Sequence, residues 1–308
     1  MSLAFVFPGQ GSQSVGMLAE LAATYPVVEE TFSQASAVLG YDLWQLIQAG
    51  PVDALNQTTT TQPAMLAAGV ATWRVWQSQT DLMPTLLAGH SLGEYTALVC
   101  ADVIAFEDAI KLVAERGRLM QQAVPAGEGA MAAILGLADE AVIAVCASAA
   151  DGEVVSAVNF NSPGQVVIAG QKSAVERAVT LAKEEGAKRA LLLPVSVPSH
   201  CSLMAPAADQ LRQQMLDIDF SAPAIPVINN VDVKIESDPD SIRDALARQL
   251  YQPVRWVETV EMMAAQGVDR LVECGPGKVL AGLTKRIDKS ISAQAFFDLA
   301  TLQKALAE

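Results

Sequence analysis

Histidine is scarce in this chain, with two residues in 308. Imidazole is the usual general base near neutral pH, so base chemistry of that kind falls to His90 or His200. Cysteine is scarce as well, and the four present (Cys100, Cys146, Cys201 and Cys274) form no C-x-x-C pair. That spacing excludes a disulfide framework or a zinc site built from paired thiolates and leaves buried, reduced thiols as the expectation. Cys201 sits beside His200, but neighbours along a chain rarely face one another. Basic residues are outnumbered, 20 Lys and Arg against 34 Asp and Glu for a net charge of -14, which argues against a nucleic-acid partner. No apolar run approaches the roughly 18 residues that span a bilayer. The stretch from Met1 to Pro8 has neither the basic head nor the apolar length of a secretion signal, so a cytoplasmic protein without membrane contact is expected. Long internal repeats and low-complexity tracts are missing too.

What is present is an apolar, foldable chain. Half of it is hydrophobic (51%) and only 18% is charged, enough to bury a sizeable core. Its length suits one large domain, or a large domain with a smaller insert. Leu3–Phe7 reads as a strand running into the glycine-rich loop Pro8-Gly9-Gln10-Gly11. Residues 85–89 read as a second strand entering Gly89-His90-Ser91-Leu92-Gly93, and residues 94–103 as the helix that follows. Strand, glycine-flanked serine, helix is the context of a nucleophile elbow. Further strands are expected at 225–229 and Arg270–Cys274, giving an α/β, hydrolase-like core with a largely parallel sheet. Between the elbow and His200 the rhythm changes. Strand 130–137, helix Asp139–Ala149, strand 154–159, turn Asn161-Ser162-Pro163-Gly164, strand 165–169, helix 173–185 with Ser173 as N-cap, and strand 190–195 follow in turn. That βαββαβ order is ferredoxin-like. The expected organisation is a core of residues 1–127 and 198–308, with a small subdomain at 128–197 and a cleft between them.

A serine hydroxyl is a poor nucleophile until a base takes its proton. Ser91 is the candidate nucleophile; a glycine-serine turn without chemistry is the plain alternative. His90 adjoins it on a sharp turn and should point away, so His200 is the candidate base, against a merely structural histidine. A third group must fix the ring tautomer, but no aspartate stands out, and a dyad oriented by a carbonyl or amide is as plausible as a triad. An oxyanion formed on Ser91 needs donors. The Leu92 amide is one, and a second is expected from the loop around Gln10. On spacing alone Arg116 reads as a helix-surface arginine, and the basic groups Lys183/Lys188/Arg189 and Lys285/Arg286/Lys289 as solvated surface.

Several segments occur together in a telling order: Phe7-Pro8-Gly9-Gln10-Gly11-Ser12-Gln13, Gly89-His90-Ser91-Leu92-Gly93-Glu94-Tyr95, Arg116-Gly117, Asn159-Phe160-Asn161-Ser162-Pro163-Gly164-Gln165, Val197-Pro198-Ser199-His200-Cys201 and Gly275-Pro276-Gly277. In them the chain resembles the malonyl-CoA:acyl carrier protein transacylases of dissociated bacterial fatty acid synthesis, over almost its whole length. Each motif is modestly specific, and the ordered set is highly specific. The resemblance implies that Ser91 carries the acyl group and His200 is base and acid. It assigns the oxyanion amides to Gln10 and Leu92, the carbonyl steadying His200 to Gln249, and the malonate carboxylate to Arg116. Gln62, Asn159 and Asn161 are weaker cleft candidates, since capping or turn formation explains the asparagines equally well. It further implies malonyl-CoA and a phosphopantetheinylated carrier protein as partners and ping-pong transfer with no cofactor or metal; a monomer is the default expectation, inferred from neither the residues nor the resemblance. Carrier proteins are acidic, as this chain is, so docking must use a local basic group.

Two rivals remain at this level. A serine hydrolase would use the same elbow with water as acceptor, and a non-catalytic acyl-CoA sensor would keep the fold alone. A polyketide-pathway relative would read almost identically.

Overall fold

The computed structural model describes residues 2–195 and 197–307 of the chain; residues 1 and 308, the outer ends of the expected core, and residue 196, inside the expected small subdomain, lie outside them. Nine strands among these residues divide between two sheets: β1 (Leu3–Phe7), β2 (Leu86–Gly89), β3 (Gly129–Leu135), β4 (Val155–Ser162), β5 (Gln165–Gln171), β6 (Arg189–Leu192), β7 (Val227–Ile228), β8 (Arg270–Cys274) and β9 (Ser292–Phe296). The first sheet runs β7-β2-β1-β8-β9 with every pair parallel. Helices cover both of its faces, which is why β1 is apolar at all five positions and buried at each. Leu3, Phe5 and Phe7 enter the larger core, while Ala4 and Val6 enter the smaller one behind the sheet. Phe5 meets Trp73 and Trp76 edge-on, with ring centroids 5.6 and 4.9 Å away, and this locks the helix Thr58–Gln79 to the sheet.

The second sheet is antiparallel, in the order β4-β5-β3-β6. Helices Asp139–Ala149 and Lys172–Glu184 pack on one face over a separate core that includes Ile134, Val166, Ile168 and Val175. β4 ties this unit to the rest of the chain. The Val254 amide donates to the Val158 carbonyl at 2.9 Å, and the Phe160 amide donates to the Val254 carbonyl at 3.0 Å.

The structure adjusts several expected boundaries for identifiable reasons. The strand expected at 225–229 shrinks to Val227–Ile228, because Pro226 has no amide proton to offer and Asn229 turns back to the Lys234 carbonyl. β6 ends at Leu192, two residues before Pro194, rather than at 195. β4 runs on to Ser162, so Asn159 and Asn161 lie in a strand instead of capping or forming a turn. The second small-subdomain helix starts at Lys172, and Ser173 does not cap it; its hydroxyl is bonded to the Glu153 carboxylate at 2.7 Å. The helix after the serine starts at Leu92, not Glu94, and ends at Cys100, shortly before Asp102 adopts a left-handed conformation (φ 59°).

Candidate active site

Ser91 stands between the end of β2 and the first residue of helix Leu92–Cys100, with φ 53° and ψ -109°. That backbone is unfavourable for a residue with a Cβ and persists where surrounding contacts over-determine it. Glycines make the turn possible. A Cβ on Gly93 would lie 2.0 Å from the Phe7 carbonyl oxygen, and one on Gly9 would lie 2.4 Å from the His90 carbonyl oxygen. The loop after β1 therefore presses directly against the elbow and places Gln10 at the rim.

His200 arrives from the loop that follows the small sheet. Its backbone is left-handed (φ 66°), and its amide is held by the Leu250 carbonyl at 2.9 Å. Its Nε2 is 2.8 Å from Ser91 Oγ, and its Nδ1 is 2.6 Å from the main-chain oxygen of Gln249. A carbonyl can only accept, so Nδ1 carries the proton and Nε2 offers its lone pair to the serine hydroxyl. Burial, reinforced by the nearby Arg116 cation, pushes the His200 pKa down to about 3, so the ring is neutral at physiological pH.

Arg116 comes from helix Phe106–Ala123 and is 1% exposed, not the helix-surface residue its spacing suggests. Its Nη1 donates to Gln62 Oε1 at 2.9 Å, and its Nη2 donates to Gln249 Oε1 at 3.0 Å and to Ser91 Oγ at 3.3 Å. The guanidinium lies 5.3 Å from the Tyr95 ring, and its Nε has no protein partner. Every hydrogen-bond partner is neutral. A buried cation without a bonded anion is costly and is suited to an anionic ligand group beside Ser91.

The remaining candidates take different places. Gln62 is buried behind Arg116, with its amide nitrogen on Met120 Sδ at 3.4 Å. Asn159 and Gln10 line the cleft. Leu92 begins its helix, so its amide has no carbonyl one turn back. Asn161 accepts from His90 Nε2 at 2.8 Å, which points His90 away from Ser91 and against Trp256, as the sharp turn requires. Cys201 is buried in an apolar cluster with its thiol on the Pro198 carbonyl, and burial raises its pKa to about 11. It is no thiolate nucleophile.

Two residues that carry no role in the sequence reading complete the site. Asn230 wraps the elbow: its Oδ1 accepts from the Ser91 amide and its Nδ2 donates to the Gly89 carbonyl, both at 2.7 Å. Glu94 accepts from the Asn230 amide at 3.0 Å and from Gln249 Nε2 at 2.7 Å. A faint signal exists for each, a carboxylate in an apolar helix start and an asparagine pair closing an apolar strand.

The cleft enclosing Ser91 has a volume of about 250 Å³ and is walled by both units, with Met131, Val167 and Leu193 on one side and Leu280 and Leu283 on the other. One basic group reaches its rim: Gln165 lines the cleft and takes a hydrogen bond from Arg286. Arg189 and Gln165 both pair with Leu135, on opposite sides of β3, about 10 Å apart by strand spacing. Arg286 Nη1 donates to Gln165 Oε1 at 2.9 Å. Lys188, Arg189, Lys285 and Arg286 are all exposed. Among the described residues no cluster of His, Cys, Asp and Glu suits a metal ion, and no helix is long and apolar enough to cross a membrane.

Comparison with known proteins follows the same lines. Residues 4–302 match the family described as Acyl transferase domain. The malonyl CoA-acyl carrier protein transacylase of Salmonella typhimurium is 64% identical over 305 residues, covering 99% of each chain. An acyl carrier protein S-malonyltransferase from Vibrio cholerae superposes with a TM-score of 0.97 at 67% identity, covering 99% of this chain and 100% of that one. A malonyl-transacylase solved in complex with its type II PKS acyl-carrier protein gives a TM-score of 0.99 at 61% identity, covering 100% and 99%.

Proposed function

The chain belongs to the acyl transferase domain family, and from that membership and the geometry of the cleft we infer that Ser91, His200 and Arg116 carry a malonyl transfer. The protein is an acyltransferase that moves a malonyl group from malonyl-CoA to acyl carrier protein, and the pathway it supplies is fatty acid elongation in the cytoplasm. The observation that carries the residue assignment is a single oxygen. Ser91 Oγ lies 2.8 Å from a neutral imidazole nitrogen and 3.3 Å from a buried guanidinium nitrogen.

Transfer proceeds in two matched halves. Ser91 attacks the thioester carbonyl as His200 Nε2 takes its proton, and the Gln249 carbonyl holds the resulting imidazolium through Nδ1. The Leu92 and Gln10 amides face the tetrahedral oxyanion, a contribution worth about 10²–10³ in rate per donor. CoA leaves as its thiol, protonated by His200. The carrier's phosphopantetheine thiol then attacks the malonyl-serine ester and the same steps run in reverse. Both ends of the exchange are thioesters, so the chemistry balances without ATP, metal or redox cofactor. The free carboxylate of the malonyl group meets Arg116, whose fork matches it, with Gln62 supporting the guanidinium and Asn159 and Asn161 on the facing wall. The architecture behind this reading is a hydrolase-like core of residues 1–127 and 198–308 and a ferredoxin-like unit at 128–197.

These exposed cations are the docking place for the acidic carrier, since Arg286 reaches the cleft wall at Gln165 and Arg189 stands on the same sheet. Replacing Arg189 and Arg286 together by glutamate is expected to raise the KM for carrier protein about tenfold or more, with malonyl-serine formation from malonyl-CoA unchanged, as measured by steady-state titration of holo-carrier. The transfer itself is tested by incubating the protein with malonyl-CoA and holo-carrier and separating malonyl-carrier from free malonate. Malonyl-carrier is the expected product; a predominance of free malonate would make the protein a hydrolase.

A further inference from the structure

Glu94 has no part in the transfer as drawn above, yet it sits three residues after the nucleophile and is 2% exposed. Two carboxylates are buried among the described residues. Glu273 is bonded to the Ala281 amide at the start of helix Val279–Ile287. Glu94 Oε2 instead takes the side-chain amide of Gln249 and the main-chain amide of Asn230.

Those two partners hold the reacting groups. A carboxylate can only accept, so it fixes which way the Gln249 amide faces. Nε2 turns to Glu94 and to the Ser91 carbonyl at 3.0 Å, and Oε1 is left for Arg116 Nη2. The same residue gives its main-chain oxygen to His200 Nδ1. Asn230, held by its own amide, clamps both sides of the serine turn. There is also a charge to balance. Arg116 already disfavours protonation of His200, and in the transition state the imidazolium forms beside that guanidinium. When ionised, Glu94 interacts favourably with Arg116.

We propose that Glu94 is a positioning residue for acyl transfer, a buried carboxylate that orients Gln249 and Asn230 and offsets the Arg116 charge while His200 takes the Ser91 proton. This rests on the malonyl-transfer reading given above. It has a consequence in pH. Burial raises the Glu94 pKa to about 7 against the pull of Gln249, Asn230 and Arg116, with Asp232 opposing them. The groups facing it are Arg116 from helix Phe106–Ala123, Tyr95 from its own helix, Asp232 beyond β7, and Glu236 across a small cavity shared with Asn229. Burial lifts Tyr95 to about 12, and Arg248 holds Asp232 below the usual carboxylate range, so neither changes charge near neutrality. His200, at about 3, does not either.

Protonation of Glu94 should therefore slow transfer without abolishing it. The test is kcat/KM for malonyl-CoA, with holo-carrier as acceptor, between about pH 5.5 and 8.5, a quantity that in a two-step exchange reports groups of the free enzyme. For the wild type the expected profile falls roughly 10- to 100-fold from an alkaline to an acid plateau, with its midpoint near 7. Glu94→Gln, similar in size and uncharged, is expected to be flat across that range at the level of the wild-type acid plateau, with kcat lowered more than KM is raised. A variant that keeps the wild-type rate and limb overturns the proposal. If the variant does not fold, the wild-type profile decides alone, and a flat one overturns it. A wild type that yields free malonate instead of malonyl-carrier fails the transfer reading itself, a result distinct in its product.

Discussion

Arg116→Ala is expected to lower malonyl transfer about 10²–10³-fold, the cost of removing one partner from a buried charged pair, while acetyl transfer is spared or improved. The guanidinium is held by Gln62 and Gln249 through neutral oxygens, over a tyrosine ring and in contact with the nucleophile, with no ion pair of its own among the described residues. In the proposed transfer a malonyl carboxylate pairs with it, and an acetyl group leaves it unpaired in a desolvated site, an unfavourable arrangement. Removing the cation thus removes attraction for one substrate and a penalty for the other. Initial rates with malonyl-CoA and acetyl-CoA on the same preparation measure the split. Equal losses would take Arg116 out of its role.

His200→Ala is expected to lower transfer by about 10⁴-fold or more, and adding Ser91→Ala to it should cost little further, because residues that act as one unit are strongly non-additive. The wild-type ring is neutral through the ordinary pH range, since desolvation and Arg116 hold its pKa down to about 3. Its Nε2 lone pair is therefore free, and its own titration places no acid limb near pH 7. Rapid-quench measurement of the acyl-enzyme step separates this loss from any effect on carrier binding. A His200→Ala protein that still acylates at near wild-type rate would leave the 2.8 Å contact without chemical meaning.

Much of the architecture was legible because apolar periodicity and glycine placement are local. The runs at Leu3–Phe7 and Arg270–Cys274 and the helix Asp139–Ala149 stand where their patterns put them. Several misplaced boundaries turn on a proline or an asparagine. Pro226 and Asn229 shorten β7, and Asn161 continues β4 to reach His90 across the cleft. The site follows the same rule. Ser91 and His200 were visible because one is framed by glycines and the other is one of two histidines. The burial of Arg116, 25 residues past the serine on a helix of mixed polarity, was visible only through family resemblance. Glu94 and Asn230 were missed because their value lies in partners 155 and 139 residues away, a separation that no window along the chain contains.

The proposed transfer turns on the Ser91 hydroxyl becoming an ester. Brief exposure of the protein to malonyl-CoA, followed by intact mass and peptide mapping, measures this directly. One malonyl group on the peptide containing Ser91, lost again on addition of holo-carrier thiol, is the predicted result. An unmodified protein that nonetheless moves malonyl groups, or an adduct on any other residue, would contradict it.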